Sequence, residues 1–417
     1  MVSRRTLVLV IGVLSGFILV AGLGVAGLAG FTLWRSMVGA PASASLLVVD
    51  GEQRLNLIAN DGSSRIVAEN VSPELFHYPS STPDGRRVAY IGREGDETIL
   101  FSLELSSGRQ TELYRSRVNP PLYATWSPDG RYLSFLANLR DGGLGTYVVA
   151  ADGTGQVDQL AASLRSSYFA WRPDSEAILL HTGGGGGSPG RVAAFRPGQT
   201  EPLSERTDPG FFQAPAWSMA GDAFFYVAQP NLGGALTTDR VESVLTRVAS
   251  SDDSSQILVR EPRAAIIFSR APTRDDLAYI TVGEDGFGAL KIITVGAEAA
   301  RTLSRSDEEV VAFFWAPDSA QIAYLTIERR NGQTIGFAWH LVGAEGGDVR
   351  DLERFVPSPA FAALVNYFDA YAFALNLWSP DSKTLVYGSE EGVFTLDVAS
   401  GTTTRRASGV LGLWVNE

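Results

Sequence analysis

A Trp-Ser-Pro-Asp-Gly motif that recurs about every 45 residues constrains the fold of this chain more than any other feature. The clearest copy runs from Trp126 to Gly130, and further copies begin at Trp171, Trp315 and Trp378. With weaker copies included, the Trp position falls at 81, 126, 171, 217, 270, 315 and 378 of 417 residues. The steps between these positions are 45, 45, 46, 53, 45 and 63 residues. Such a period is typical of a radial array of supersecondary units.

One repeat predicts four short strands. Pro128 presets φ at the second position of a turn, Asp129 can bond neighbouring amides, and Gly130 supplies the left-handed conformation that follows. Apolar segments end at Trp126 and then occupy 132–136, 146–150 and 157–160, with turn residues between them. This leaves no room for a crossover helix. The unit is therefore predicted to be a four-stranded blade of an all-β propeller.

The residues that recur in the motif are interpreted as structural. We call the Trp position of each repeat the marker position, and the strand that ends there the marker strand. A Trp at this position is suited to fill the wedge between neighbouring blades, and each Asp lies inside a Pro-containing turn. We therefore expect packing and turn stabilisation from these residues, and neither ligand stacking nor catalysis. They are Trp126, Asp129, Trp171, Asp174, Trp217, Trp315, Asp318, Trp378 and Asp381.

The two ends of the repeat region indicate a closed ring. Segments 46–50, 55–60 and 65–68 predict three strands that lack a marker strand of their own, and 411–415 predicts a marker strand with nothing after it. Together they would complete one blade and remove an open sheet edge. The sequence thus favours eight blades. Seven remain possible if the weak repeat around Arg270 does not form a separate blade.

Trp-Ser-Pro-Asp-Gly followed by an apolar strand resembles the TolB-type propeller family, whose repeats are similar to those of tricorn and prolyl oligopeptidase propellers. The resemblance covers about residues 46–415. It implies the propeller fold, and for TolB itself a role in protein–protein contacts. TolB carries an extra N-terminal domain where this chain has an apolar segment, so TolB's own partners are not carried over. In the similar peptidases the active site lies on a separate domain.

Composition excludes several classes of function. The chain has no Cys, which excludes disulfides, thiol nucleophiles and Cys-ligated metal sites. Its three His residues lie far apart in sequence, and we expect no metal and no cofactor. The net charge of −12 and the lack of basic runs argue against binding to nucleic acid.

An uncharged apolar run extends from Leu7 to Leu33. Its 27 residues would form a helix of about 40 Å, which exceeds a hydrocarbon core of about 30 Å. Because Arg4 and Arg5 precede the run, the N-terminus is expected in the cytoplasm and the propeller outside, in a periplasm or at the cell surface. A cleaved signal peptide is the alternative. The predicted organisation is 1–36 stub and anchor, 37–45 linker and 46–417 propeller.

The longest interval between marker positions, from Trp315 to Trp378, contains a predicted helical insertion at about 355–375. Ser358-Pro359 fits an N-cap and a first helical position, and apolar residues follow at helical spacing. The helix could pack on the propeller and cover a blade or the central channel, or it could recognise a protein partner. The candidate partner-binding residues are Phe361, Tyr367, Phe368, Tyr371 and Phe373. The segment from Asn231 to Arg240 is a second candidate loop.

No catalytic motif is convincing, so the chain is predicted not to be an enzyme. The Gly-x-Ser-x-Gly match at Ser188 follows a run of glycines between two strands, and not the strand-to-helix turn that the motif requires. The predicted function is a membrane-anchored, extracytoplasmic propeller that binds a protein or serves as a scaffold in an envelope complex. The alternative is binding or hydrolysis of a glycan or peptide at the central channel, which requires carboxylates or Arg converging within about 10 Å.

Overall fold

The computed structural model describes residues 44–72, 74–140, 142–155, 157–163, 167–185, 188–199, 201–207, 209, 213–229, 242–331 and 333–416. The apolar run from Leu7 to Leu33 and the candidate loop from Asn231 to Arg240 lie outside these residues. No helix within the described ranges is both long and apolar enough to cross a membrane.

The described residues form eight antiparallel sheets, each of which is one blade. Blades 1 and 2 contain β1 Ala44–Val49, β2 Leu55–Ile58, β3 Ser64–Ala68, β4 Ser80–Ser81, β5 Arg87–Glu94, β6 Glu97–Glu104 and β7 Gln110–Ser116. Blades 3 and 4 contain β8 Pro121–Trp126, β9 Tyr132–Asn138, β10 Leu144–Ala150, β11 Asp158–Ser163, β12 Ser167–Trp171, β13 Ile178–Gly185, β14 Ser188–Phe195 and β15 Ser204–Arg206.

The same order continues through the second half of the chain. Blades 5 and 6 contain β16 Ala216–Trp217, β17 Ala223–Ala228, β18 Glu242–Ala249, β19 Ser255–Pro262, β20 Ala264–Arg270, β21 Asp276–Gly283, β22 Gly286–Phe287, β23 Lys291–Thr294 and β24 Arg301–Thr302. Blades 7 and 8 contain β25 Val310–Trp315, β26 Gln321–Arg330, β27 Gln333–Gly343, β28 Arg350–Phe355, β29 Thr384–Ser389, β30 Gly392–Asp397 and β31 Thr403–Ala407, and β32 Leu411–Asn416 follows. The prediction of eight blades is confirmed.

Each blade runs from a buried inner strand to a more exposed outer strand. All residues of β8 and β25 are buried, whereas β7 and β28 expose about half of their residues. In blade 8 the inner strand is reduced to a bridge between Trp378 and Leu385. The inner strands therefore surround the ring axis, and the outer strands form its rim.

The last strand closes the ring. β32 pairs with β1 in six consecutive positions, from Ala44 opposite Asn416 to Val49 opposite Leu411. Blade 1 is therefore built from both ends of the described chain, in the order β3-β2-β1-β32. This pairing covers the backbone edge that an open ring would leave exposed.

The Trp residues of the motif lie between blades. The indole nitrogen of Trp126 donates to the carbonyl oxygen of Ser80 at 3.0 Å, and that of Trp378 donates to Phe314 at 3.1 Å. Both acceptors belong to the inner region of the preceding blade. These two rings thus bury a large apolar surface while their indole nitrogens keep a partner, whereas the described residues offer none to the indole nitrogen of Trp217.

The Asp residues of the motif form hydrogen bonds within their own turns. The carboxylate of Asp129 accepts from Ser127 Oγ at 2.7 Å and from the amide of Arg131 at 2.9 Å. The carboxylate of Asp381 accepts from Ser379 Oγ at 2.7 Å. Carboxylates held in this way stabilise the turn backbone.

Adjacent turns are also joined to each other. Three repeats carry Ser in place of the motif's Gly, and Ser319 has a φ of 62°. Its hydroxyl accepts from the amide of Thr273 in the preceding blade at 2.9 Å. Ser175 and Ser382 accept in the same way from Asp129 and Asp318. A left-handed serine costs conformational energy, and here its side chain supplies a bond between blades that Gly cannot supply.

Candidate functional site

The longest connection between blades forms two short helices. It links β28 to Trp378 and contains α1, Pro359–Val365, and α2, Phe368–Tyr371. Ser358 is the N-cap residue of α1, and its hydroxyl accepts from the amide of Phe361 at 3.2 Å. Pro359, which has no amide hydrogen to satisfy, is the first helical residue. We call residues 358–376 the insertion.

Tyrosines from two blades hold the insertion on one side. The hydroxyl of Tyr78, just before β4, donates to the carbonyl oxygen of Ala360 at 3.1 Å. The hydroxyl of Tyr123, in β8, donates to that of Ala370. Both rings meet Tyr371 edge to face, with centroids 5.2 and 4.9 Å away. Blades 2 and 3 therefore contact the insertion through hydrogen bonds and aromatic packing.

Blades on the opposite side of the ring contact it as well. Phe368 packs on Phe313 of β25 with ring centroids 4.8 Å apart. The carboxylate of Asp369 accepts from the amide of Ala214, just before β16, at 2.8 Å. Contacts with blades 2, 3, 5 and 7 place the insertion on the ring axis. The two helices thus occupy the central channel and fill it with aromatic side chains.

The structure places the predicted partner-binding residues in two different environments. Phe361, Tyr367, Phe368 and Tyr371 are buried, with at most 7% of their surface exposed. Phe373 is 53% exposed. The helical periodicity therefore marks a face that packs inward against the blades. Of the five side chains, Phe373 is the one that a partner could reach in this conformation.

Two aromatic residues that contact the insertion have left-handed backbone conformations. Phe76 has a φ of 69° and Tyr123 a φ of 49°. Phe76 meets Tyr367 edge to face at 5.1 Å. Bulky residues rarely adopt this region, and such conformations persist where the surrounding structure fixes them. The backbone of blades 2 and 3 is thus locally adapted to the insertion.

Asp369 is the one carboxylate among these contacts. It is 8% exposed, and burial raises the pKa of its carboxyl group to about 6, although amide hydrogen bonds from Ala214 and Ala370 oppose this. Burial, together with the nearby carboxylate of Asp369, also raises the pKa of the Tyr367 hydroxyl to about 12. A perturbed acid in the centre of a molecule is a feature of many functional sites, and also of some buried structural networks.

This arrangement differs from the one that the catalytic alternative requires. Asp369 and Arg270 are the charged groups in the contacts between the insertion and the blades described here. One buried carboxylate is not the paired arrangement used in glycoside hydrolysis. Ser188 is the first residue of β14, where the backbone of the β13–β14 hairpin pairs it with Gly185. It is therefore not on the strand-to-helix turn of a serine nucleophile.

One cluster has the residue types of a metal site. Glu308, His340 and Asp351 hold oxygen and nitrogen atoms within 4.8 Å of one another. Arg305 already bonds two of them, at 2.7 Å to Glu308 and 2.9 Å to Asp351. His340 uses Nδ1 toward Asp351 and Nε2 toward Thr326, both at 2.8 Å. The guanidinium supplies the positive charge here, so the cluster is an ion-pair network between neighbouring elements.

An open groove lies between the outer parts of blades 1 and 2. Its volume is about 470 Å³, and β3 forms one wall. Tyr90 and Phe101 line it and stack on each other at 5.1 Å. Ile66, which also lines it, is 48% exposed. Arg93 and Glu94 contribute charged groups to the same surface. Solvent can thus reach Ile66 and the two charged side chains, whereas Tyr90 is 2% exposed and Phe101 is half-buried.

Comparison with known proteins supports the fold. No protein-family model and no curated protein match the sequence. The structure is similar to prolyl endopeptidase, at 14% identity over 82% of this chain and 51% of the other, with a TM-score of 0.54. It is also similar to the β-propeller domain of the Trilobed protease from Pyrococcus furiosus, at 14% identity over 80% and 98%, with a TM-score of 0.51.

TolB proteins are also among the structural neighbours. TolB from Acinetobacter baumannii matches at 16% identity over 78% of this chain and 70% of the other, with a TM-score of 0.38. The chain spans about half of the prolyl endopeptidase that it matches. The β-propeller fold implied by the predicted resemblance is confirmed by the eight sheets and by the two proteins with TM-scores above 0.5, and no sequence family is established.

Asp369 and Arg270 were not among the residues predicted from the sequence to form a site. Each of the two residues departs from its sequence context in a way that could have identified it. Asp369 is the single acidic residue within the aromatic run Tyr367 to Tyr371, and Arg270 stands at a marker position that five other repeats fill with Trp.

Proposed function

We propose that this protein is a membrane-anchored propeller that binds a protein partner through its outer surface, outside the cytoplasm. The observation that carries this proposal is the filled channel, because aromatic side chains of the insertion occupy the axis of the ring. Binding is thereby directed to the rim and the faces. A rigid ring that presents many loops is well suited to recognition.

The groove between blades 1 and 2 is the proposed contact surface. Interfaces typically combine an apolar or aromatic centre with a polar rim. The groove has both, with the exposed Ile66 and the half-buried Phe101 beside Arg93 and Glu94.

The binding proposal is tested by substitution at Ile66. Ile66→Asp places a charge in the groove, and we expect at least a 10-fold loss of the partner in a cross-linking pull-down of the full-length protein from membranes. Ile257→Asp is the matched control, because Ile257 is 47% exposed on β19, an outer strand remote from the groove. Equal recovery with wild type and both variants would reject the groove as the contact surface.

The anchor is tested independently. Leu7 to Leu33 is expected to keep the full-length protein in the membrane pellet after an alkaline carbonate wash, because a spanning helix is not held by charge. A variant that lacks residues 1–36 should appear in the supernatant. Protease added outside intact cells or spheroplasts should degrade the propeller. Release of the full-length protein by carbonate, or protection of its propeller, would contradict the proposed topology.

A further inference from the structure

Arg270 is a buried cation for which the described residues supply no ion pair. Its residue surface is 8% exposed, and it ends β20, the inner strand of blade 6. No carboxylate among the described residues comes within 4.0 Å of its guanidinium. Nη1 donates to the carbonyl oxygens of Ala271 at 2.5 Å and Arg274 at 3.4 Å. Nε is buried without a hydrogen-bond partner, and the described residues offer no acceptor to Nη2 either.

A buried charge of this kind needs compensation. Burial lowers the pKa of the Arg270 guanidinium to about 10, against a smaller opposing effect of Asp275. Asp275 is itself used by the neighbouring blade, where its carboxylate accepts from the amide of Met219 at 2.7 Å. Proteins normally pair buried charges. The free donors therefore indicate a place for an external anion.

Another buried arginine of this protein has a carboxylate partner within the chain. Arg172, near the end of the inner strand of blade 4, is also 8% exposed. Its Nε and Nη2 bind the two carboxylate oxygens of Asp174 at 2.6 and 2.5 Å. These are the two nitrogens that remain free in Arg270. Paired N–H groups of this geometry match a carboxylate in a bidentate manner.

The surroundings of Arg270 favour a ligand that carries an apolar group as well as a negative charge. The guanidinium lies 5.3 Å from the ring centroid of Phe373, the exposed aromatic residue of the insertion. The guanidinium carbon lies over the Phe373 ring, and Nε and Nη2 form one edge of the planar guanidinium group. A ligand whose carboxylate meets this edge would bring its attached group against Phe373. An apolar or aromatic group gains from that contact, and a small hydrated anion does not.

We propose that Arg270 and Phe373 form a binding site for a carboxylate carried by an apolar or aromatic group. Arg270 binds the carboxylate through Nε and Nη2, and Phe373 packs against the attached group after a rotation of its exposed side chain. The site lies where the insertion meets blade 6, apart from the groove between blades 1 and 2, and it does not depend on the proposed protein partner.

The test measures binding of benzoate to the full-length protein by calorimetry, with benzamide, acetate and inorganic phosphate as comparisons. We expect benzoate to bind at least 10-fold more tightly than each of the others, because benzamide lacks the charge and the remaining two lack the ring. Arg270→Gln should abolish benzoate binding. Phe373→Ala should weaken it about 5-fold or more. Arg274→Gln, which removes a charge from the same turn, should bind benzoate like wild type.

The variants also separate binding from folding. Phe373 is exposed, so Phe373→Ala keeps the test decisive even if Arg270→Gln does not fold. Arg270→Lys retains the charge without the bidentate geometry and should still lose most of the affinity. Equal binding of benzoate and benzamide, or unchanged benzoate binding by Phe373→Ala, would overturn the proposal. Tighter binding of a peptide with a C-terminal Phe than of N-acetylphenylalanine would identify a chain terminus as the source, and the reverse a small molecule.

Discussion

Replacing Phe361 by alanine should lower the free energy of unfolding by about 3–5 kcal/mol. The side chain is fully buried in α1, and its ring meets Trp339 and Phe355 edge to face at 6.1 and 5.7 Å. Alanine would leave a cavity between the insertion and blade 7, because the surrounding strands are fixed by their own pairing. Urea unfolding followed by tryptophan fluorescence at neutral pH measures the change.

Phe373→Ala is the matched control for this experiment. It removes the same atoms from the same segment, but Phe373 is 53% exposed. We expect a change of less than about 1 kcal/mol, since exposed substitutions rarely exceed this. A small effect of Phe361→Ala would contradict the packing of the insertion in the channel, and would restore Phe361 as a surface residue open to a partner.

The fold was predictable from the sequence because its determinants are local. A Pro-Asp-Gly turn fixes one hairpin per blade wherever it occurs, and the spacing between turns leaves room only for short strands. Ring closure followed from counting strands at both ends of the repeat region, and the pairing of Ala44 with Asn416 agrees with that count. None of these steps needs knowledge of long-range contacts.

The location of the insertion was less predictable. Helical periodicity shows that one face is apolar, but the partner surface can be a channel, a blade or another protein. The decisive contacts come from residues with no pattern in common, such as Tyr78, Tyr123 and Phe313, which meet the insertion from three blades. Contacts of this kind depend on how the ring brings distant segments together. The same reason applies to Arg270, whose missing counter-ion is visible only in three dimensions.

Asp369→Asn should increase the stability of the protein at pH 7.5 by up to about 3 kcal/mol and leave it nearly unchanged at pH 4. The pKa of the carboxyl group is raised from 3.8 to about 6 in the folded state. The folded protein therefore holds this proton more tightly than the unfolded chain does. The stabilisation associated with the neutral acid is complete below pH 3.8 and is lost as the pH rises through about 6.

Asparagine is neutral throughout this range, and its carbonyl oxygen can still accept from the amide of Ala214. Urea unfolding of wild type and Asp369→Asn at intervals from pH 4 to pH 8 should give two curves that diverge mainly between about pH 4 and pH 6 and keep a constant separation at higher pH. Parallel curves would show that Asp369 does not titrate in the folded protein as its burial requires.

Asp129→Asn should change stability at neutral pH in the opposite direction to Asp369→Asn. Partial burial acts to raise the pKa of the Asp129 carboxyl group, but hydrogen bonds from Arg131 and Ser127 outweigh it, and the pKa is lowered. Its contribution to stability is therefore present above the unfolded pKa of about 3.8 and is lost as the pH falls through the lower folded value. Asp129→Asn should be less stable than wild type at pH 7.5 and should approach it in acid. Hydrogen bonds stabilise the ionised form of Asp129 in its turn, whereas burial favours the protonated form of Asp369 in the channel. The two variants should therefore shift the pH dependence of unfolding in opposite directions.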